Sequence, residues 1–345
     1  MRQWCLFDHG LPPFPMKFPV HLRVALCAAL LLPACAMAND GIATVGAGGI
    51  VLRKTDAIAM KKEVLNVSHD LITVDYEFLN ESTADIEETI VFPLPAYPAT
   101  QQVSDSYYGQ PSGFSILVDG KPVAFTAHVR AELDGRDVTA ELRRLGLDDV
   151  QIAFNTEFEP RPRVTPLTAR QRKELTRLGL LEKQPGNEGD ALWHVQVNYV
   201  WKQIFPAERV LRVHHAYRPF VGAGPGNSWI DPEFSATYCA DKSFFAAYKK
   251  VEARNDGHVI AAHVAYILKT GNTWKRGIED FTLNIVKRDP AELVSLCFPG
   301  TVKKLDSKTY QVRLKNFQPR DDLRVYFGNV RFDADHAGVM PQLRK

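Results

Sequence analysis

The sequence predicts a mainly β protein: two sandwich-like antiparallel β regions with a helical insertion, of α+β character overall. Three observations carry that expectation. Apolar and polar residues alternate in short runs along much of the chain, as they do in half-buried strands. Turns rich in Gly, Pro and Asn separate these runs. Segments with helical spacing do not alternate regularly with the strands, which argues against a parallel sheet with crossover helices. The chain has 345 residues, room for about two domains, and its 45% hydrophobic content rules out wholesale disorder.

Residues 1–38 read as a secretory signal peptide. Met16-Lys17 opens a basic segment that includes Arg23, and Val24 to Leu32 is an unbroken apolar run. Ala36-Met37-Ala38 then supplies a small-x-small cleavage site before Asn39-Asp40. The run falls short of the ~20 residues a membrane-spanning helix needs. The stretch before Met16, with Asp8 and three prolines, is unlike a leader, so Met16 is the expected start. A rival reading takes Leu32-Pro33-Ala34-Cys35 as a lipoprotein box with Cys35 lipidated. The proline inside that box and the Ala-Met-Ala site beyond it favour cleavage after Ala38. The expected location is therefore periplasmic or secreted.

Removing the leader changes the counts. The basic residues Arg2, Lys17 and Arg23 leave with Asp8, so the net charge of +2 becomes zero. Neither value supplies a polyanion-binding field, and no nucleic-acid partner is expected. Of five cysteines only Cys239 and Cys297 remain. In an oxidising compartment such a pair reads as one disulfide, and closing that loop would stabilise the fold by roughly 4 kcal/mol.

Strands follow in order. Ile72, Val74, Tyr76 and Phe78 alternate with polar neighbours, and after a polar turn Ile86 to Phe92 begins a second strand that Pro93 and Pro95 end. Phe114 to Val118 enters a tight hairpin at Asp119-Gly120. Val195, Val197, Tyr199 and Trp201 alternate again, and Val210 to Tyr217 extends the sheet. The final third repeats the pattern at 259–268, 281–286, 293–297, 310–314 and 323–327. Helices are expected over Asp137–Leu147 and Thr168–Leu180, each leaving through a glycine, Gly146 and Gly179, in left-handed conformation. Thr168 and Gln171 suit a capping box. A third helix is expected over Asp241–Val251. The resulting organisation is residues 39–125 plus 191–235 as an N-terminal β-sandwich region, 126–190 as the helical insertion, 236–335 as a C-terminal β-rich region, and 336–345 as a tail.

Several blocks resemble a known family. Asn39-Asp40, the Ala47–Leu52 block, Phe92-Pro93-Leu94-Pro95, Asp137-Val138-Thr139, Phe205-Pro206-Ala207, Tyr217-Arg218-Pro219 and the Tyr266–Trp274 block look like successive blocks of the bacterial domain of unknown function 4424 family. They run in order from 39 to about 327. The resemblance implies an exported protein and brings no catalytic residues with it. Over 60–130 the order of strand, turn, strand ending in Phe-Pro-Leu-Pro, and strand into Asp-Gly-Lys also resembles the vault/inter-alpha-trypsin type β-sandwich, a binding and adhesion module.

The chemical motifs mostly fail. Gly46-Ala47-Gly48-Gly49 and Gly222-Ala223-Gly224-Pro225-Gly226 lack the third glycine of a dinucleotide loop, at Val51 and Asn227. His214-His215 lies on a strand, where neighbours face opposite sides, so the two cannot readily chelate one ion. One is expected to pack inward with Val213 and Tyr217. Asp333-Ala334-Asp335-His336 sits in a polar terminus and reads as solvated. No catalytic residue, cofactor or metal ligand set is assigned. The hints that remain concern binding. Between Arg161 and Lys183 seven basic residues face two acidic ones, and Arg161, Arg163, Arg170, Arg172, Lys173 and Arg177 are candidate contacts for an anionic surface or partner. Tyr107, Tyr108, Trp229 and Trp274 are candidate aromatic contacts, with Trp274 equally suited to plug a sandwich end. The reading is a non-catalytic binding or interaction module of the cell envelope, of unknown partner. The alternative is a hydrolase with a dispersed site.

Overall fold

Nineteen strands and five α-helices are present among the described residues of the computed structural model, which are 40–46, 49–99, 114–153, 165–183, 189–219, 221–225 and 232–331. The chain begins with β1 (Gly41–Gly46), β2 (Gly49–Arg53), β3 (Ile58–Val67), β4 (Ile72–Asn80), β5 (Ile86–Pro93) and β6 (Tyr97–Pro98). After these come β7 (Ser115–Val118), β8 (Lys121–Pro122), β9 (Thr126–Leu133), β10 (Arg136–Asp137), α1 (Thr139–Arg144), α2 (Asp149–Ala153) and α3 (Ala169–Arg177). The middle holds β11 (His194–Phe205), β12 (Val210–Tyr217), β13 (Val221–Pro225), α4 (Pro232–Tyr238) and α5 (Lys242–Arg254). The last part holds β14 (Ile260–Tyr266), a 3-10 turn (Lys269–Thr273), β15 (Ile278–Val286), β16 (Leu293–Ser295), β17 (Lys303–Lys304), β18 (Thr309–Phe317) and β19 (Leu323–Gly328). The protein is mainly β with a small helical part.

The strands form three sheets. A seven-stranded sheet runs β10-β9-β11-β5-β1-β2, with β6 also paired to β11. An eight-stranded sheet runs β17-β18-β15-β3-β4-β12-β7-β8, and a four-stranded sheet runs β13-β14-β19-β16. Among the described residues every strand pair is antiparallel except β15 with β3, whose parallel pairing sets Ile278 beside Met60 and Ile285 beside Val67. That pair joins chain segments more than 200 residues apart in one sheet, so strands from both sides of residue 236 share it.

Alternation decides what each sheet buries. On β4, Ile72, Val74, Tyr76 and Phe78 are fully buried while Asp75 between them is exposed. On β12, Leu211, Val213, His215 and Tyr217 turn inward. Burying side chains of this size contributes about 1.5–3 kcal/mol each. A continuous core draws on all three sheets, from Ile42 and Phe92 through Val74 and Leu283 to Val264 and Phe327. A smaller cluster of Phe234, Phe244, Tyr248 and Tyr326 lies beneath α4 and α5.

The helix signals act locally. Thr168 caps α3 by accepting the Gln171 N–H, and the Gln171 side chain accepts the Thr168 N–H, completing the capping box. Gly146 and Gly179 take φ of +81° and +71° where their helices end. Asp241 accepts the Phe244 N–H at 2.9 Å to cap α5. The stretch over 126–190 is not wholly helical. It opens with β9, whose inward positions Val129 and Ala131 are too small and too few to stand out against His128 and Arg130. Cys239 and Cys297 form a disulfide with Cα atoms 5.0 Å apart, tying the end of α4 to the segment after β16. No helix among the described residues is long and apolar enough to cross a membrane.

Candidate functional site

Among the described residues, four places where polar side chains gather differ in burial. The first lies inside the core. His215, fully buried on the inner face of β12, sets Nε2 3.0 Å from each carboxylate oxygen of Asp40, which is also buried. Phe92, Phe114, Tyr76 and Trp201 surround the imidazole with ring centroids 5.1–5.6 Å away. The Trp274 indole N–H donates to the Asp40 backbone carbonyl at 2.7 Å. The Tyr76 and Tyr266 hydroxyls meet at 2.9 Å, joining the eight- and four-stranded sheets. Glu63, in register with Tyr76 and equally buried, lies near both. Burial pushes the Asp40 carboxyl above its ordinary value, with His215 opposing the shift. It also pushes both tyrosine hydroxyls far up, so they stay protonated at every physiological pH.

The second place is open. A groove of about 660 Å³ crosses the outer face of the seven-stranded sheet. Its lining includes the small apolar side chains of Ala43 and Val200, the hydroxyls of Thr44, Thr89 and Thr126, and His128. The register that pairs Val200 with both Val91 and Thr126 brings β5, β11 and β9 together there. Two ion pairs edge it: Arg53 with Glu88 at 2.5 Å and Lys202 with Glu87 at 3.7 Å. Its charges are therefore matched in sign and number, leaving a concave surface without a strong field.

A third, smaller groove of about 270 Å³ lies on the outer face of the eight-stranded sheet. Here β3, β4 and β12 place Lys62, Glu77 and Arg212 in one row and Val64, Asp75 and His214 in the next. His214 Nδ1 sits 2.7 Å from Asp75, and Arg212 lies 3.5 Å from Glu77. Further along the same face Asn66, Thr73, Asn284 and Gln311 form a ladder of side-chain hydrogen bonds at 2.8–3.0 Å.

The fourth is α3. Arg170, Lys173 and Arg177 are exposed, and Arg177 donates to Glu174 at 2.8 Å, which holds that carboxylate below its usual range. Arg172 turns back instead, its Nε donating to the Leu167 carbonyl at 3.2 Å. Arg161 and Arg163 lie outside the described residues, as do Tyr107, Tyr108, Trp229, the 333–336 segment and the leader. Trp274 is fully buried, with its ring 4.4 Å from Phe78, so it plugs the core rather than offering a contact surface. The structure does not bring the described candidate contacts together: Trp274 is in the core and the cations are on α3. Among the described residues, no group of three His, Cys, Asp or Glu side chains is placed to hold a metal ion.

Sequence reasoning gave no site role to Asp40, Arg53, Thr126 or Lys202. Each is ordinary in its local context, and only strand register reveals its neighbours. Opposite-facing His214 and His215 were the one legible signal.

Comparison with known proteins assigns the chain to a family. The family model described as domain of unknown function (DUF4424) matches residues 38–326. No curated protein matches the chain. Similar solved structures include a proposed nutrient binding protein from Legionella pneumophila, 15% identical with a TM-score of 0.40, covering 84% of this chain and 70% of that one. Yeast LTA4 hydrolase is 10% identical with a TM-score of 0.28 over 79% of this chain and 29% of that one. A mutant M1 zinc metallopeptidase from Deinococcus radiodurans is 7% identical with a TM-score of 0.24 over 80% and 43%. Backbones that diverge this far carry no argument about function. The family match spans most of the chain and nearly all its described strands, and the chain belongs to the DUF4424 family.

Proposed function

We propose that the protein is exported and acts as a binding or interaction module of the cell envelope, with the groove on the seven-stranded sheet as its contact surface. The observation that carries this reading is the groove itself. Its volume of about 660 Å³ falls within the range of ligand-binding clefts, roughly 300–1,000 Å³. Ala124 and Phe125 supply apolar contact area at its wall, the Thr44 and Thr89 hydroxyls line it, and Thr126 and His128, 3.2 Å apart, form a polar pair at its edge. Because Arg53 and Lys202 are each matched by a glutamate, the surface suits a neutral or zwitterionic polar ligand better than a polyanion. Export is supported by the basic, apolar and small-residue pattern before Asn39, and by a disulfide whose Cys239 is exposed, an arrangement that persists in oxidising compartments.

The test is co-purification from an envelope extract with two forms of the chain, wild type and Thr126→Trp, which fills the groove from an exposed strand position. The wild type should retain a ligand or partner that the variant loses at unchanged melting temperature. The chain recovered from the extract should begin at Asn39. Equal retention by both forms, with turnover of an ester or glycan panel, would overturn the reading in favour of a hydrolase.

A further inference from the structure

Helix α3 presents a surface independent of the groove. Its inner side is fixed to the body. Leu175 and Leu180 are fully buried, Arg172 bonds the Leu167 carbonyl, and the Gln171 side chain donates to the Leu145 carbonyl at 3.1 Å. With the helix anchored there, Arg170, Lys173 and Arg177 stand three and four residues apart on the exposed side. Residues 169–183 hold five basic side chains against Glu174 and Glu182, a local +3 in a chain whose total is +2. Glu174 lies among the three cations, and its pairing with Arg177 is solvent-exposed and weak.

Apolar surface adjoins this charge. Leu178, at the helix exit, is 38% exposed, and Leu192 is 42% exposed. The Leu192 N–H donates to the Leu180 carbonyl at 3.0 Å, and Leu181 bridges Ala191, so Leu192 lies on a short antiparallel crossing that begins two residues after Leu178. Glu182 and Asp190 are the acidic residues facing each other on that crossing, the Asp190 backbone carbonyl taking the Glu182 N–H. Cations on a rigid helix beside exposed leucines suit a surface that is anionic at its headgroups and apolar just beneath. An acidic protein would satisfy the charges and leave the leucines without a reason.

We propose that this face docks on an anionic lipid bilayer. Arg170, Lys173 and Arg177 meet phosphodiester headgroups, and Leu178 and Leu192 enter the boundary between headgroups and acyl chains.

The test is co-sedimentation of the full mature chain with vesicles of phosphatidylglycerol and phosphatidylcholine, against phosphatidylcholine alone. Binding should require phosphatidylglycerol and weaken as salt rises. Arg170→Glu/Lys173→Glu/Arg177→Glu should lower partitioning by about a hundredfold or more. Leu178→Ser with Leu192→Ser should lower it by about tenfold with the charge unchanged. Lys249→Glu/Lys250→Glu, on exposed positions of α5, should leave it unchanged, and all variants should keep the wild-type melting temperature. Equal binding to neutral vesicles would overturn the proposal, as would an equal loss with the α5 variant. So would displacement by soluble polyglutamate together with wild-type binding by the leucine variant, which would assign the face to an acidic protein.

Discussion

His214 and His215 are neighbours on one strand, and each meets an aspartate, yet they belong to different parts of the molecule. His214 pairs with Asp75 at 2.7 Å on the outer face, with side chains 36% and 58% exposed. His215 pairs with Asp40 at 3.0 Å on the inner face, where neither is more than 1% exposed. Water screens the first pair, so it holds little energy, and its groove stays open to a ligand. The second pair has exchanged water for four aromatic rings. Removing one partner there leaves the other buried without compensation. The strand's period of two places one histidine in each environment. The same chemical pair is thus a fastener on one face and a surface feature on the other.

The sharpest way to break this contrast is Asp40→Ala. It strands His215 in the core and should cost about 3–5 kcal/mol in urea unfolding. A loss under about 1 kcal/mol would mean that the pair fastens nothing. Trp274→Phe comes next. It takes the indole N–H from the Asp40 carbonyl while keeping an aromatic ring, and should cost about 1–3 kcal/mol, measured the same way. Asp40→Asn sharpens the contrast through pH. The Asp40 carboxyl is raised above its ordinary value of 3.8 by burial. Its contribution is therefore fully present below that value and is lost as pH rises through the folded pKa. The wild type should lose stability relative to Asp40→Asn as pH rises above the ordinary carboxyl value of 3.8, followed by urea midpoints. The opposite slope would show that His215 stabilises the charged carboxylate more than burial penalises it. Asp75→Ala should have the smallest effect, under about 1 kcal/mol, and less in high salt.

Much of the fold was legible in particular residues. Ile72, Val74, Tyr76 and Phe78 mark β4 by alternation alone, and Thr168 with Gln171 marks the start of α3. Elsewhere the pattern was broken by the structure itself. In β3, a register shift between Met60 and Lys62 puts Lys61 out of step, so the sequence Ile58–Val67 shows no clean period. The parallel pairing of β15 with β3 and the Asp40–His215 contact join residues 175 or more apart, and no local window contains both partners. The groove was hidden for a related reason. Ala43, Val200 and Thr126 come from three strands, and their convergence follows from sheet order rather than from any motif.

The inner pair and the outer pair can be compared in one experiment, matched double-mutant cycles in urea for Asp40 with His215 and for Asp75 with His214, each residue changed to alanine. A fastener buried among aromatic rings predicts a coupling of about 2 kcal/mol or more for the inner pair. A screened surface pair predicts less than about 0.5 kcal/mol for the outer one. Equal couplings, or a larger value for the outer pair, would contradict the assignment of structure to the inner face and of accessible surface to the outer.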